Sequence, residues 1–382
     1  MKCFSKSFFC LLAVAITSTV AAQEDLTDKI QCKLTGRMLM DGGVFLPNEN
    51  AFGNGTEFSD LRVGVKASYA NWDMKVEIGY AGSKVSIKDA FATYTMGRHA
   101  IQVGQFYEPF TLDMLCSTFD LRFNQSPGAV LAMTNSRRLG VAYTYNSQHY
   151  YACGGFFTDN DISNVKNASQ GYAVDGRLVY RPVNDGAGKL LHVGLAGVYR
   201  TPDGALPDEE GRHTFIYKSP GVSTIDNRHL IYAAVDQARY QFKLGAELLI
   251  YYQKFFLQSE YIRTQVKRRL GLADYAGQGG YVQCSWLLMG TAYAYDEALA
   301  CPARPVGRAL ELCGRYNHVD MNDRSANVMG GAQKDFSVGL NYYFNKHVGV
   351  KLNYSYVLPG SHIKEISSKN FSLFQARFQF IL

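Results

Sequence analysis

The sequence predicts an all-β chain closed into a transmembrane antiparallel β-barrel of about 16 strands, with both termini on the periplasmic side. Three observations lead there. Apolar and polar residues alternate with period two through most of the chain, and helical periodicity is almost absent. The alternating runs are about ten to fourteen residues, the length that crosses a bilayer at a tilt of roughly 45°, whereas strands of a soluble sandwich average about five or six. Aromatic residues stand at the run ends, where a membrane interface favours them: Tyr69, Trp72, Tyr80, Tyr145, Tyr252, Phe255, Phe344 and Tyr356. Composition agrees, because 47% of the residues are hydrophobic while the mean hydropathy is −0.15, an average over two unlike faces. In lipid every backbone N–H and C=O must pair within the protein, so such a sheet has to close on itself.

The elements follow in order. Residues 1–22 read as a signal peptide, with Lys2 and Lys6 basic, Phe8 to Ala15 apolar, and Val20 and Ala22 small before a cleavage at Gln23. Residues 23–382 form the barrel domain. Leu61, Val63, Val65, Ala67 and Tyr69 alternate with Arg62, Gly64, Lys66 and Ser68. After Ala70-Asn71 the pattern restarts as Trp72, Met74, Val76, Ile78 and Tyr80, so the two runs form a hairpin. Asp89 falls on the apolar side of the next run, which predicts a β-bulge between Lys84 and Met96. Similar alternation recurs around residues 138–145, 239–250, 335–344, 348–356 and 374–382. Tight turns at 97–98, 147–148, 253–254 and 345–346 contrast with long connections near 42–57, 108–136, 160–170, 201–237, 268–276, 321–333 and 358–369. Short periplasmic turns and long external loops are the asymmetry of outer-membrane barrels. The stretch 291–306, with Cys301-Pro302 and Arg304-Pro305, is expected as an unusually long periplasmic turn.

Parity then assigns the charges. The basic residues expected to face the lumen are Lys33, Arg37, Arg62, Lys66, Lys75, Lys88, Arg138, Arg177, Arg181, Arg239, Lys243, Arg315, Lys351 and Arg377. The acids are Asp60, Asp73, Glu77, Asp175, Glu247, Glu260, Glu311 and Asp335. A lining with a basic excess concentrates anions, and arginine's planar fork suits oxyanions. Pairing across neighbouring strands, as between Lys66 and Asp73 or Arg177 and Asp175, is the competing use of these charges. Arg138 is the leading single candidate, whereas Arg137 has the opposite phase and is expected to meet headgroups or loop residues.

Several motifs together carry a family resemblance. They are Trp72–Tyr80, Val85-Ser-Ile-Lys-Asp-Ala-Phe91, Val103-Gly-Gln-Phe-Tyr-Glu-Pro-Phe-Thr-Leu112, Ser136-Arg-Arg-Leu-Gly-Val141, Gly280-Tyr-Val-Gln-Cys284, Gly339-Leu-Asn-Tyr-Tyr343 and Leu352-Asn-Tyr354. Their order and spacing resemble the phosphate-selective porin O and P family across nearly the whole mature chain. The resemblance implies an outer-membrane barrel, a homotrimer, and passive diffusion of small hydrophilic solutes with a preference for phosphate-like anions. It also implies that the loop after Glu-Pro-Phe, here 108–136, folds into the pore and narrows it, with Asp113, Asp120 and Arg122 as its charged candidates. The chain departs from the family in ending at Leu382 rather than Phe. A non-selective porin and a structural or adhesin-like barrel are the alternatives.

Other classes find less support. The net charge is +6, or +4 without Lys2 and Lys6, too mild for a nucleic-acid partner. The 8 histidines are scattered, and none lies in a hydrolase or metalloprotease motif, so neither catalysis nor a cofactor is expected. Cys32, Cys116, Cys153, Cys284, Cys301 and Cys313 form no C-x-x-C pair and read as small buried or lipid-facing thiols, Cys301 and Cys313 being closest in sequence.

Overall fold

The computed structural model describes residues 30–382 except 48, 50, 51, 83, 160–168, 187, 205–212, 227, 367 and 368. The signal peptide and the acids Asp208, Glu209 and Glu210 of the 201–237 connection lie outside the described residues. In chain order the first strands are β1 (Gln31–Leu46), β2 (Gly55–Tyr69), β3 (Trp72–Ala81), β4 (Lys84–Met96), β5 (His99–Phe106), β6 (Arg138–Asn146), β7 (Tyr150–Thr158), β8 (Tyr172–Asn184) and β9 (Lys189–Arg200). After the short β10 (Phe215–Ser219) and β11 (Ile231–Val235) come β12 (Ala238–Tyr252), β13 (Phe255–Arg268) and β14 (Tyr275–Met289). The chain ends with the short β15 (Tyr293–Asp296) and β16 (Cys301–Pro305), then β17 (Ala309–Asp323), β18 (Val328–Tyr343), β19 (Val348–Pro359) and β20 (Phe371–Ile381).

Sixteen of these strands make one closed antiparallel barrel, and β10–β11 and β15–β16 are separate two-stranded hairpins. Closure pairs β1 with β20, from Arg37 opposite Ile381 to Leu46 opposite Ser372. Across that seam Arg377 grips Asp41 through two bonds of 2.6 Å. An even strand number returns the C-terminus to the end where the chain entered, and Leu382 N–H donates to Gly36 O at 2.9 Å. The predicted barrel and its strand number therefore stand.

The alternation partitions as the residues require. Val63, Val65, Trp72, Met74, Leu195, Leu244, Trp286, Val338, Leu352 and Phe374 are exposed on the outer wall, although each is strongly apolar. Only lipid accepts such a band at low cost. Aromatic pairs sit near the turns, including Trp72 with Tyr94 at 4.8 Å and Tyr150 with Tyr180 at 5.2 Å.

The barrel has several register shifts, and two of them move residues expected in the lumen lining. The register of β3 with β4 shifts between Val76 and Ile78, so Lys88 and Asp89 both stand against Glu77. This is the bulge that Asp89 predicted, and the Gln105 side chain donates to the exposed carbonyls of Ile87 and Lys88 at 2.9 and 2.8 Å. A second shift lies between Ala238 and Tyr240. There Ala238 takes the buried position and Arg239 is left exposed as the extra residue, so Arg239 does not join the lumen lining as simple parity expected. The connection expected at 321–333 is also shorter, because β17 and β18 extend to Asp323 and from Val328.

Candidate pore and its charged lining

Three inserts fold into the barrel. The first joins β5 to β6 and carries two short helices, α1 (Leu112–Leu115) and α2 (Gly128–Met133). Polar wall residues hold its backbone on several sides. Glu260 of β13 accepts from Leu112 N–H and Asp113 N–H, both at 2.8 Å. Lys243 of β12 donates to Met133 O at 2.7 Å, Arg315 of β17 to Gln125 O at 2.8 Å, and Lys351 of β19 to Leu121 O. Asn353 and Asn317 accept from the amides of Asn124 and Ala129 at 2.9 and 3.2 Å. At the opposite wall Arg37 donates to Ser117 Oγ at 2.8 Å, and Thr118 donates to Asp60 at 2.9 Å. Buried carbonyls need donors, and inward Lys and Arg supply them where no water reaches.

The second insert is the β10–β11 hairpin, from the external 201–237 connection. Tyr217 OH bonds Thr264 at 2.7 Å, and Gln375 donates to Ser223 at 2.8 Å. The third is the β15–β16 hairpin from the periplasmic turn, which does not hang below the barrel but is drawn inside. Arg177 donates to Leu299 O and Ala300 O at 2.7 and 2.6 Å while its Nε meets Glu247 at 2.9 Å. Arg181 pairs with Glu297, Tyr251 donates to Ala294 O at 3.0 Å, and Arg122 donates to Ala303 O at 2.9 Å.

These contacts divide the sequence candidates. Arg177, Lys243 and Arg315 do face inward, but all three are buried and bound to insert carbonyls. Arg122 is buried too, 3.0 Å from Glu311 and 4.2 Å above the Phe256 ring. Asp120 meets Arg304 at 3.7 Å, whereas Asp113 is buried and in no ion pair among the described residues. Arg138 is half-buried and pairs with Asp159 at 3.4 Å.

Space remains on the other side. A cavity of about 750 Å³ runs along the inner wall of β1–β7 from the periplasmic turns up to the first insert. Arg37, Arg62 and Lys66 border it, Lys66 at the wide mouth 3.8 Å from Asp73. Arg138 is absent from its border and Arg137 is present. Arg137 precedes β6, so strand parity does not govern it. It turns inward, pairs with Asp89 and lies 4.1 Å over the ring of Tyr107 in the β5–β6 connection, so of its two expected partners it meets a loop residue and not headgroups.

Where the insert meets this wall, charges form a chain. Arg37 lies 3.1 Å from Asp60, Arg62 is 2.6 Å from Asp60 and 3.4 Å from Glu77, and Lys75 is 3.1 Å from Glu77 and 2.8 Å from Asp89. Lys88 stands beside Arg62, Arg137, Arg37 and Asp60 without an ion pair among the described residues. Five cations thus face three acids. Glycines make room for this chain: a Cβ at Gly79 would sit 2.6 Å from Lys88 Cε, and one at Gly64 would sit 2.5 Å from Val76 O. The bulge at Asp89 was the sequence signal for this group, while the inward turn of Arg137 had none.

A closed 16-strand barrel with an apolar outer band, a charged lumen and an inward loop defines an outer-membrane porin, a channel rather than an enzyme. The chain belongs to the phosphate-selective porin O and P family, whose model matches residues 33–381. Solved structures share the fold at low identity. A loop L8 deletion mutant of OmpT from Vibrio cholerae aligns with TM-score 0.61 and 12% identity, covering 92% of this chain and 100% of that one. An anion-selective porin from Comamonas acidovorans gives 0.61 and 11%, covering 93% and 100%. The outer-membrane channel DcaP of Acinetobacter baumannii gives 0.59 and 10%, covering 93% and 98%. No curated protein matches the chain. Family and fold place the protein in the bacterial outer membrane.

Proposed function

We propose that the protein is a passive diffusion channel for small hydrophilic solutes with a preference for anions such as phosphate. The observation that carries this reading is the excess of five cations over three acids where the first insert meets the β2–β4 wall, with Lys88 in no ion pair among the described residues. The path follows that wall, because the opposite side of the lumen is occupied by inserts. Arg37, Arg62, Lys75 and Arg137 on the cavity border act in series, with Lys88 adding its charge beside Arg62, so an anion passes from one to the next and no single site traps it. Lys66 supplies charge at the mouth. Lys243, Arg177 and Arg315 act by holding the inserts, and the 108–136 loop is the constriction. The apolar outer band meets outer-membrane lipid, and the working unit is a homotrimer, as in the trimer form of the Vibrio cholerae protein. The segment 1–22 is an export signal removed from the mature chain.

A second reading, a passage without charge preference, draws on the wider part of the cavity. Its border carries six basic residues, Arg37, Arg62, Lys66, Lys75, Arg98 and Arg137, and six acids, Asp73, Glu77, Asp89, Asp113, Asp120 and Asp296. Swelling of liposomes that contain the protein separates the two. Anion preference requires faster swelling with a small organic anion than with a cation of equal size; equal rates favour the second reading, and no swelling contradicts diffusion altogether.

A further inference from the structure

Most cysteines are placed where they cannot pair. Cys284 is exposed on β14, whereas Cys313 is buried on β17. Their register, Cys284 opposite Gly314 and Ser285 opposite Cys313, sets the two thiols on opposite faces of the wall. Cys32 is exposed near the start of β1, and Cys153 accepts from Thr144 at 3.3 Å.

Cys116 and Cys301 are different. Cys116 ends α1 of the first insert, and its Sγ donates to Leu112 O at 3.1 Å. Cys301 opens β16 of the third insert. Cys116 and Cys301 lie in one apolar cluster with Leu112, Leu115 and Tyr293, and both border the cavity along β1–β7. The inserts come from opposite ends of the barrel, so this is a contact between segments that share no strand pairing. The cluster around it is buried, and further links between the two inserts there include the Asp120 and Arg122 bonds to Arg304 and Ala303 and the Arg304 guanidinium 4.4 Å over the Phe119 ring.

We propose that Cys116 and Cys301 form a disulfide that fastens the constricting insert to the periplasmic insert. An exported chain passes through an oxidising compartment, where a protein disulfide serves as the oxidant. One thiol loses its proton and attacks the donor disulfide, forming a mixed disulfide and releasing one donor thiolate, which takes up a proton. The second thiol then attacks the mixed disulfide at the chain's own sulfur and frees the donor as a dithiol. The chain gives up two electrons and two protons, and the donor receives both. The exchange belongs to the stage before the inserts dock, because both sulfurs are almost fully buried afterwards. Formation requires the Cys116 side chain to leave Leu112 O and turn toward Cys301.

The test is peptide mass spectrometry on the full-length protein purified from outer membranes, denatured in a thiol-blocking reagent without reductant. The expected result is a linked pair of peptides holding Cys116 and Cys301, with Cys32, Cys153, Cys284 and Cys313 alkylated. Alkylation of both Cys116 and Cys301 overturns the proposal, whatever the channel transports. For the fastening role, Cys116→Ser and Cys301→Ser are compared by open-channel current noise, with Cys284→Ser as the control. Each is expected to raise the noise at least twofold, and the double variant to add nothing further. Noise at the control level overturns the fastening role. If a variant fails to insert, wild-type protein refolded with blocked thiols gives the same comparison.

Discussion

Lys88→Gln is the sharpest perturbation of the charge chain. Lys88 is half-buried, has no ion pair among the described residues, and shares its surroundings with Arg62, Arg137 and Arg37. Its removal leaves four cations against three acids and breaks no salt bridge. The magnitude follows from Coulomb's law. A monovalent ion passing at about 6 Å in a water-like medium feels about 0.7 kcal/mol, which screening in about 0.1 M salt lowers to about 0.4. The anion loses this attraction and the cation loses the equal repulsion, so the anion-to-cation permeability ratio falls by about fourfold. Planar-bilayer recordings under a potassium chloride gradient read that ratio from the reversal potential. Lys243→Gln is the comparison, because Lys243 is buried against Met133 O and lies away from the path. An unchanged ratio in Lys88→Gln, or an equal change in both variants, refutes the assignment of the path to the β2–β4 wall.

Further perturbations test the inserts. Glu260→Gln replaces one of the two accepting oxygens with a donor, so one of the two bonds to the start of α1 is lost, and it is expected to cost about 2 kcal/mol, read as a lower temperature for the unfolding shift on gels. Gly279→Val places carbon 2.8 Å from both Ala129 Cβ and His318 O, so α2 must move off the wall; protease cleavage within 107–137 should then quicken. Arg177→Lys keeps the charge but loses the fork that holds Leu299 O and Ala300 O; larger single-channel conductance is expected as the β15–β16 hairpin loosens. At the external end Asp226 is held down to about 2 by the Arg228 side chain, with Gly53 N–H a further donor. A depressed carboxyl contributes stability above its ordinary value of 3.8 and loses it as pH falls through about 2, so loop proteolysis should rise only below about pH 3, but already at pH 7 in Asp226→Asn.

The wall was legible from residues because strand parity is a local rule that lipid enforces. Each apolar residue on the wrong face would meet water or charge, so alternation from Leu61 to Tyr80 could not mean much else. The bulge at Asp89 was legible for the same reason, as a break in that rule. Arg239 was misplaced because a bulge two residues from a loop leaves no alternation beyond it to show the break. Arg137 meets a loop residue, Tyr107, as one of its two expectations had it, but its inward turn was not legible because it precedes β6 and parity does not reach it. Beyond the Lys66–Asp73 pair, the fate of the lumen charges was not legible. Whether Lys243 or Arg177 meets solute or a loop carbonyl depends on how three inserts pack across the barrel, and their contacts join residues more than a hundred positions apart. The 291–306 stretch showed its length but not its direction, since periodicity says nothing about which way a turn folds.

The zero-current potential of the wild-type protein in a planar bilayer, under a tenfold gradient of potassium chloride, tests the central claim most directly. The excess of cations over acids at Arg37, Arg62, Lys75, Lys88 and Arg137 requires the sign set by chloride crossing faster than potassium. A potential of the opposite sign contradicts it, as does a membrane that carries no current.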